Sequence, residues 1–315
     1  MGVELSIIIA TCNSSRFIEP CLMSLSDGHD DVCTETIVVD NASSDRTLEM
    51  VRTRFPHVTV IRNDRNHGHC RAMNQGIAAA RGTYLLVLDV DTIVRPGTLR
   101  HLCTFLQSNV DAVIVAPRML NVDGSVQETA RRFPSVINAL FGRQTLLSRV
   151  FPDNRFLRAY LQREQRDEAD PFEVDWVSAA CMAFPRTLAD QLGPWDEGFG
   201  GYWVDADWCA RAHRVGRVYC VPAGRVVHTE QNRAAQRKGA RRIVQFHTGV
   251  YRFYRKHYTR GVADPRAIAA ALALGARATL LLAGDSLRAV PRPTATQPPA
   301  PLTGPMTTGR AYDEH

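Results

Sequence analysis

The sequence contains no closely spaced pair of cysteines. Its eight cysteines are scattered through hydrophobic stretches of the 315-residue chain, and no Cys-x-x-Cys pair occurs. This spacing excludes the usual zinc clusters and gives no sign of a disulfide framework. A basic leader with a long apolar core is also lacking, because a strand-like run begins at Leu5. We therefore expect a cytoplasmic location.

A glycine-rich dinucleotide fingerprint is likewise missing. Gly68, Gly76 and Gly82 do not form Gly-x-Gly-x-x-Gly, and no such motif follows the first strand-like run. A Rossmann-type dehydrogenase is therefore disfavoured. Residues 66–70 (NHGHC) group two histidines and a cysteine, but their spacing matches no four-ligand zinc pattern.

Acidic residues are absent from residues 231–260, which carry nine lysines and arginines, whereas the whole chain has a net charge of only +6. Such a block favours an anionic partner: phospholipid head groups, a diphosphate or nucleic acid. Its aromatic residues have helical spacing, which favours core packing over a stacking platform for bases. We predict no nucleic-acid partner.

No uninterrupted apolar run reaches the roughly 20 residues that span a bilayer. Residues 267–284 are mostly alanine and leucine, but Arg277 interrupts them. Arg266, Arg277 and Arg288 recur at intervals of eleven residues and would form a basic stripe on a helix. We predict a helix lying on a membrane surface, with an ordinary amphipathic helix packed on the domain as the alternative.

The first third of the chain alternates short β-branched runs with amphipathic stretches. This alternation predicts an α/β fold with a mostly parallel central sheet flanked by helices. Predicted strands lie at residues 5–10, 36–39, 58–61, 84–88 and 112–116. Further on, we predict strands at 218–221 and 226–228 and helices at 203–213 and 241–257. Residues 131–171 show no clear pattern.

Two acids follow one of these apolar runs, as Asp89-Val90-Asp91. Ligands of open α/β sheets bind at the carboxyl ends of strands, and side chains at positions i and i+2 of a strand share a face. Such acids suit Mg²⁺ or Mn²⁺, which would neutralise a diphosphate. A pair of solvated acids at a strand end is the alternative. Asp40 repeats the arrangement and could accept an N–H bond from a pyrimidine base, or simply lie in a turn before a helix.

Ordered motifs in both halves resemble the family 2 glycosyltransferases of GT-A fold, and within them the rhamnosyltransferase-like branch. In the first half they are residues 6–13 (SIIIATCN), 39–45 (VDNASSD), 66–68 (NHG), 74–76 (NQG) and 88–92 (LDVDT). In the second half they are residues 176–180 (WVSAA), 193–197 (GPWDE), 202–211 (YWVDADWCAR) and 226–228 (VVH). Several motifs in the family's order are far more specific than any one alone.

This resemblance implies a GT-A nucleotide-diphospho-sugar transferase fold with a C-terminal helical appendage. The implied organisation is a nucleotide-sugar-binding half at 1–130 and an acceptor-binding and catalytic half at 131–230. A basic, amphipathic helical segment at 231–290 and a disordered tail at 291–315 follow.

The same resemblance assigns residues to the donor. Those implied to contact the nucleotide sugar are Thr11, Asp40, Asn66, Gly68, Asn74 and Asp89. Those implied to bind a divalent metal, Mg²⁺ or Mn²⁺, are Asp89, Asp91 and His228, and imidazole is a suitable ligand for Mn²⁺. Away from the resemblance, a lone histidine at a strand end is more often structural.

In the acceptor half, Asp205 occupies the position of the family's general base, which must reach the acceptor hydroxyl. Most relatives carry an acid just before this aspartate, whereas this chain has Val204. Asp207 and the pair Asp196 and Glu197 are therefore competing candidates. On a helix that begins near residue 203, Asp205 and Asp207 would lie about 200° apart and face different partners. All four acids could instead stabilise helix N-termini.

Tryptophans surround these acids in the sequence. Indole rings stack well on the apolar faces of sugars, although large aromatics usually belong to a core. The residues predicted to contact the acceptor are Trp176, Trp195, Asp196, Glu197 and Trp203.

Together these features predict a metal-dependent, inverting glycosyltransferase that acts at the inner face of the cell membrane. The donor would be a dTDP- or UDP-linked sugar, with rhamnose the first choice. The acceptor would be a polysaccharide or lipid-linked glycan. The alternative is a non-catalytic nucleotide- or glycan-binding subunit of the same fold, which Val204 favours.

Overall fold

The computed structural model describes residues 2–26, 31–133, 158, 160–162, 168–229 and 239–287. The N-terminal half of the fold is a parallel sheet with helical connections. Its strands are β1 (Leu5–Thr11), β2 (Thr34–Asp40), β3 (Thr59–Arg62) and β4 (Tyr84–Asp89), in the spatial order β3-β2-β1-β4. The helices are α1 (Ile18–Ser26), α2 (Thr47–Arg54) and α3 (His69–Ala79). The parallel strands bring the carboxyl ends of β1, β2 and β4 to one edge.

Helices cover both faces of this sheet, which is why its strands read as continuous apolar runs. Ile8 and Val87 point into a core shared with α3, whereas Ile7 and Leu88 point into a core shared with α1 and α2. Gly76 lets α3 approach β1 closely, since a Cβ there would lie 2.3 Å from Cγ2 of Ile8. A larger residue would push the helix off the sheet.

The second half extends the same sheet. Its elements are β5 (Thr92–Val94), α4 (Thr98–Ser108), β6 (Ala112–Leu120), β7 (Phe172–Val174), β8 (Cys181–Pro185), α5 (Arg186–Leu192), a 3₁₀ turn (Glu197–Phe199), α6 (Val204–Ala212) and β9 (Arg217–His228). From β4 the order continues β8-β6-β9-β5, and β7 pairs with β9. The expected parallel arrangement holds for β1 to β4, while β8 pairs antiparallel with both β4 and β6, so the whole sheet is mixed.

The prediction of two short strands at 218–221 and 226–228 was wrong, because β9 is one strand of 12 residues. Pro222 and Gly224 suggest a turn in the sequence, but they lie in an irregularity of the strand. There the pairing with β6 jumps from Pro117 opposite Val221 to Arg118 opposite Arg225. A bulge of this kind absorbs a residue that cannot donate to the sheet.

Two long helices follow the sheet: α7 (Ala240–Tyr258) and α8 (Pro265–Leu287), which pack against each other. Within the described residues, one stretch, Pro265–Gly284 of α8, is long and apolar enough to cross a membrane by length and composition. The predicted tail at 291–315, Arg288 and most of residues 131–171 lie outside the described residues.

Candidate active site

Three predicted metal ligands meet at the carboxyl end of β4. Ligand atoms of Asp89, Asp91 and His228 all lie within 4.8 Å of one another. His228 ends β9, and its Nε2 lies 3.3 Å from Oδ1 of Asp91. Two carboxylates and an imidazole at this spacing, with Asp91 and His228 buried, form a donor set that fits Mg²⁺ or Mn²⁺.

The two acids converge for a reason that differs from the expected alternation along a strand. β4 ends at Asp89, and residues 90 and 91 form the tight turn into β5. Thr92 Oγ1 donates to the carbonyl of Asp89 at 2.6 Å, and the main-chain N–H of Thr229 donates to the carbonyl of Asp91 at 2.8 Å. These bonds fix the turn, so the main chain holds both carboxylates in place.

Gln127 orients the imidazole of His228. The amide Nε2 of Gln127 donates to the carbonyl of His228 at 3.1 Å. The amide Oε1 of Gln127 then lies 3.1 Å from the ring Nδ1 of His228. An acceptor oxygen at this position places the proton on Nδ1 of the neutral ring, so Nε2 presents its lone pair towards Asp91. A neutral imidazole in this tautomer is ready to ligate a cation.

The base-binding residues predicted at β1 and β2 lie side by side. Thr11 pairs with Asp40 in the parallel ladder, and both side chains are buried. The carboxylate of Asp40 accepts the N–H of Ser43 at 3.2 Å, which closes the turn before α2. The hydroxyl of Thr11 is buried and has no hydrogen-bond partner among the described residues. It is therefore available to a ligand at this edge.

A network of side-chain amides supports the loop before α3. Asn63 and Gln75 exchange two hydrogen bonds of 2.8 Å each, and Asn63 also donates to Asn41. Asn41 in turn donates to the carbonyl of Gly68 at 3.2 Å, and Asn66 accepts the N–H of Gly68 at 2.9 Å. The predicted diphosphate-side residues Asn66 and Gly68 are thus held beside the ends of β1 and β2.

Asn74 takes part in a different contact. Its Oδ1 accepts the N–H of Trp195 at 2.8 Å, and its Nδ2 donates to the carbonyl of Trp195 at 3.0 Å. The same amide approaches Oε1 of Glu197 at 3.4 Å. The side chain of Asn74 therefore joins α3 to the loop before α6, and its predicted contact with the donor stays a prediction.

Asp205 lies in the first turn of α6. Its Oδ1 accepts the N–H of Ala206 at 2.9 Å, and the carboxylate also accepts the N–H of Ala179. The next residue, Ala180, accepts the N–H of Asp89 at 2.9 Å. Two consecutive residues thus connect the acidic cluster with Asp205.

The protonation of Asp205 follows from its surroundings. Burial raises its pKa above the usual range for an aspartate, against the opposing effects of the Ala206 N–H and the charge of Arg131. A raised pKa makes this carboxylate a stronger base than an exposed aspartate. This property suits a group that must accept a proton from an alcohol.

The competing acids have cationic partners instead. Oδ1 of Asp207 lies 2.8 Å from Nζ of Lys256 and 2.7 Å from Nε2 of His257. Burial would raise the pKa of Asp207, but these two hydrogen bonds outweigh it and hold the pKa below its usual range. Asp196 binds Arg252 at 2.7 Å and Lys256 at 3.1 Å, and despite partial burial its pKa falls to about 2.

Asp205 and Asp207 thus point to different surroundings, as their helical spacing predicted. An aspartate neutralised by lysine, arginine or histidine is a weak base. Glu197 is exposed, and its near contact is the amide of Asn74. Among the four acids, Asp205 is the one whose surroundings suit proton abstraction.

The predicted acceptor tryptophans differ in exposure. Trp176 and Trp195 are 4% and 1% exposed, and both belong to the core on the α3 face of the sheet. The indole N–H of Trp176 donates to the carbonyl of Arg132 at 2.9 Å. Trp203 is partly exposed and packs on Trp176 with ring centroids 5.8 Å apart. Trp203 is therefore the indole of the three best placed to contact an acceptor.

Sequence reasoning missed two residues that shape the site, Gln127 and Asn63. Gln127 lies beyond β6 in a stretch without regular pattern, and its partner His228 is 101 residues away. Asn63 directly follows β3, and a polar residue after a strand was a usable signal. No local pattern could have identified Gln127.

A mixed α/β sheet with an Asp-x-Asp and histidine cluster at its strand ends defines a nucleotide-sugar transferase of the GT-A type. The sequence matches the family described as Glycosyl transferase family 2 over residues 6–193. The chain belongs to this family, as its motifs predicted, and is a glycosyltransferase that uses nucleotide sugars.

Similar proteins share this assignment. An N-acetylglucosaminyl-diphospho-decaprenol L-rhamnosyltransferase of Mycobacterium tuberculosis is 27% identical over 266 residues, covering 79% of this chain and 83% of the relative. The succinoglycan biosynthesis protein ExoO of Rhizobium meliloti is 32% identical over 194 residues, covering 56% and 55%. Within its family the chain is therefore rhamnosyltransferase-like.

Solved structures share the fold at low sequence identity. The mannosyltransferase PcManGT of Pyrobaculum calidifontis, solved with GDP-Man and Mn²⁺, superposes with a TM-score of 0.56 at 18% identity. The match covers 90% of this chain and 73% of that one. The predicted GT-A fold is thereby confirmed.

Proposed function

We propose that this chain is an inverting glycosyltransferase that transfers a sugar from a nucleoside diphosphate to a hydroxyl of a polysaccharide or lipid-linked glycan. The proposal rests on one observation: the acidic cluster at the strand ends is connected to Asp205 through two consecutive residues. Asp89, Asp91 and His228 gather at the strand ends, and residues 179 and 180 join them to Asp205, which is partly buried. One group suits a diphosphate and its metal, and the other suits an alcohol.

The donor would lie along the ends of β1, β2 and β4. Thr11 offers a buried hydroxyl, and Asp40 a carboxylate, to the base of a dTDP- or UDP-linked sugar. Asn66 and Gly68 border the same edge and would contact the ribose and diphosphate. Rhamnose is the first choice of sugar, which the name of the mycobacterial relative supports.

Asp89, Asp91 and His228 would hold a divalent cation, Mg²⁺ or Mn²⁺. When bound, such an ion supplies positive charge that stabilises the departing diphosphate. Gln127 keeps the imidazole in the ligating tautomer, and the turn between β4 and β5 keeps the two carboxylates together.

In the chemical step, Asp205 accepts the proton of the acceptor hydroxyl. The acceptor oxygen forms a bond to the anomeric carbon as the bond from that carbon to the diphosphate oxygen breaks. The bonding pair leaves with the diphosphate. Because attack and departure occur on opposite faces of the sugar, the configuration at the anomeric carbon inverts.

The test is a panel of nucleotide sugars incubated with the purified protein, Mn²⁺ and a glycan acceptor. We expect turnover with one donor, loss of turnover with a chelator and recovery on adding Mn²⁺. NMR of the product should give an anomeric configuration opposite to that of the donor. Retained configuration, or binding of donors with no turnover on any of them, would contradict the proposal, and the second result would favour a non-catalytic subunit.

The proposal extends to the membrane, because a lipid-linked acceptor would be met at the inner face. On α8, the side away from α7 is apolar: Ile268, Leu272 and Leu280 are 50%, 70% and 74% exposed. An ordinary surface helix exposes its polar side, whereas α8 exposes these apolar side chains. The stretch Pro265–Gly284 is long and apolar enough to cross a membrane, and nearly all of it is unburied. Among the basic residues of α7, Arg252 and Lys256 bind Asp196 and Asp207, so Arg241 and Arg255 would be the ones to complement anionic lipid.

Co-sedimentation with anionic vesicles tests this surface. Burying a leucine contributes about 1.5–3 kcal/mol, so we expect Leu272→Asp with Leu280→Asp to weaken vesicle binding roughly a hundredfold or more. Val110→Asp with Val122→Asp is the matched control, since both valines are exposed apolar residues away from α8. Equal sedimentation of the α8 variant and the unmodified chain would rule out α8 as the membrane contact.

A further inference from the structure

The residue before α6 has an unusual backbone conformation. Trp203 has φ 70° and ψ 2°, in the left-handed region, which costs a residue with a side chain about 1–2 kcal/mol. Its carbonyl accepts the N–H of Asp207 at 3.0 Å, so this conformation sets the direction in which α6 begins. Asp205 lies between these two residues, and its carboxylate is aimed by the same turn.

Helix α7 packs directly against this turn. The rings of Phe246 and Phe253 lie 5.8 Å and 5.6 Å from the indole of Trp203, between ring centroids. Gly249 lies between them on the helix, and a Cβ there would approach the carbonyl oxygen of Tyr202 to 2.8 Å and Cδ1 of Trp203 to 3.2 Å. Only a residue without a side chain lets α7 approach the main chain so closely.

Helix α7 also holds α6 further along. Lys256 and His257, in its last turn, bind the buried carboxylate of Asp207 at 2.8 Å and 2.7 Å. At the other end, Nε of Arg242 donates to the hydroxyl of Tyr202 at 2.9 Å. The beginning of α6 is thus fixed by α7 through aromatic packing, close main-chain approach and buried charge.

We propose that α7 positions the catalytic base: through Gly249 and Phe246 it holds the strained turn at Trp203 and so directs Asp205 towards the acceptor. This inference rests on the proposed role of Asp205. Gly249 and Phe246 are positioning residues, because they contact Tyr202 and Trp203 and not the strand ends where the donor would bind. Helix α7 lies outside the family match, which ends at residue 193.

A split between kcat and the donor KM distinguishes this role from general support of the fold. An added Cβ at position 249 displaces the turn that aims Asp205, and misplacing a reacting group by about 1 Å costs roughly a hundredfold in rate. The donor edge is built from β1, β2, β4 and the end of β9, which α7 does not form. We therefore expect a change in kcat without a change in the donor KM.

The experiment measures transfer kinetics and thermal unfolding for Gly249→Ala. We expect kcat to fall about 10- to 100-fold while the donor KM stays within about twofold. Gly239→Ala is the matched control, because nothing in the described part of the chain lies within 4 Å of a Cβ there. Phe246→Ala supplies the same test by loosening the turn, since that side chain is 36% exposed and its removal should leave the fold intact.

Two results would overturn the proposal. One is that kcat of Gly249→Ala and Phe246→Ala stays within about twofold of the unmodified enzyme. The other is that kcat and donor binding fall together in proportion to the loss of folded protein. Failure of the underlying function would look different, since Asp205→Asn would then retain full activity whatever the Gly249 variant does.

Discussion

The proposed donor edge and the proposed acceptor side of the site are built in different ways. At the donor edge, strand ends bring Thr11, Asp40 and Asp89 together, and main-chain and amide hydrogen bonds hold them. On the proposed acceptor side, charged pairs with α7 hold Asp196 and Asp207, whereas Asp205, the proposed base, accepts main-chain N–H groups. The difference teaches that an acid in a direct ion pair contributes to stability, whereas an acid bound by main-chain N–H groups keeps its basicity.

The largest effect on kcat is expected from substitution of Asp205. In Asp205→Asn the shape is kept but the proton acceptor is lost, so kcat for transfer should fall about 10²- to 10⁴-fold. The donor KM should hardly change, because the proposed donor contacts lie at the strand ends. The unfolding temperature should not fall, because a neutral amide costs less to bury than a carboxylate. Steady-state kinetics and thermal unfolding check both. A kcat within tenfold of normal would place the base elsewhere.

Asp91 tests the donor edge in the same way. Asp91→Asn removes a charged ligand from the cluster with Asp89 and His228, so we expect both Mn²⁺ affinity and transfer to fall roughly a hundredfold. Titration with Mn²⁺ measures the first and kinetics the second. Asp123→Asn is the control. Among the described residues, the carboxylate of Asp123 accepts hydrogen bonds from Ser125 in the same turn and lies outside the acidic cluster. Equal effects of the two variants would refute the metal assignment.

Substitution of Gln127 should have a smaller effect on metal affinity, and that effect tests which tautomer His228 adopts. Gln127→Leu removes the acceptor at Nδ1, and loss of such a partner typically costs 10- to 100-fold in metal affinity. Gln127→Glu keeps that acceptor and should retain more affinity. Mn²⁺ titration of the two variants ranks their affinities. A leucine variant that binds Mn²⁺ as tightly as the glutamate variant would count against the assigned orientation of His228.

The pH dependence of kcat separates Asp205 from its neighbours. The base works only when ionised, and burial raises its pKa, so activity should be lost as pH falls through a value above the usual range of about 3.9. Arg131 favours the charged form, and Arg131→Gln should move this acidic limb to higher pH. Rate profiles of both proteins measure the shift, and a move to lower pH would contradict the assignment.

The smallest effect on catalysis is expected at Asp196. Asp196→Asn removes the partner of Arg252 and Lys256 and should lower the free energy of unfolding by about 1 kcal/mol while kcat changes little. Because the pKa of Asp196 is lowered to about 2, its contribution is present above about pH 4 and is lost as pH falls towards 2. The difference in free energy of unfolding between the unmodified chain and Asp196→Asn should therefore be larger at pH 7 than at pH 3.

The sequence predicted the donor edge better than the acceptor side, and the physical reason is locality. Asp40, Asp89 and Asp91 each follow an apolar run, so periodicity alone indicates where they lie. Arg252, Lys256 and His257, which pair with Asp196 and Asp207, come from α7, 49 to 60 residues further along the chain, and no periodicity predicts them. Arg211, four residues after Asp207 on α6, is a local partner. The burial of Trp176 and Trp195 likewise depends on tertiary packing that spacing does not encode.

Strand β9 joins the two regions, since its first half pairs with β7 and its last residues pair with β5. Val218 faces the core on the α3 side, whereas Val226 faces the opposite core, although both have even numbers. Side chains alternate strictly along a strand, so the irregularity after Val221 must reverse this parity. Deletion of one residue there would turn the imidazole of His228 to the opposite side of the sheet. The proposed metal site would then lose a ligand although His228 itself is unchanged.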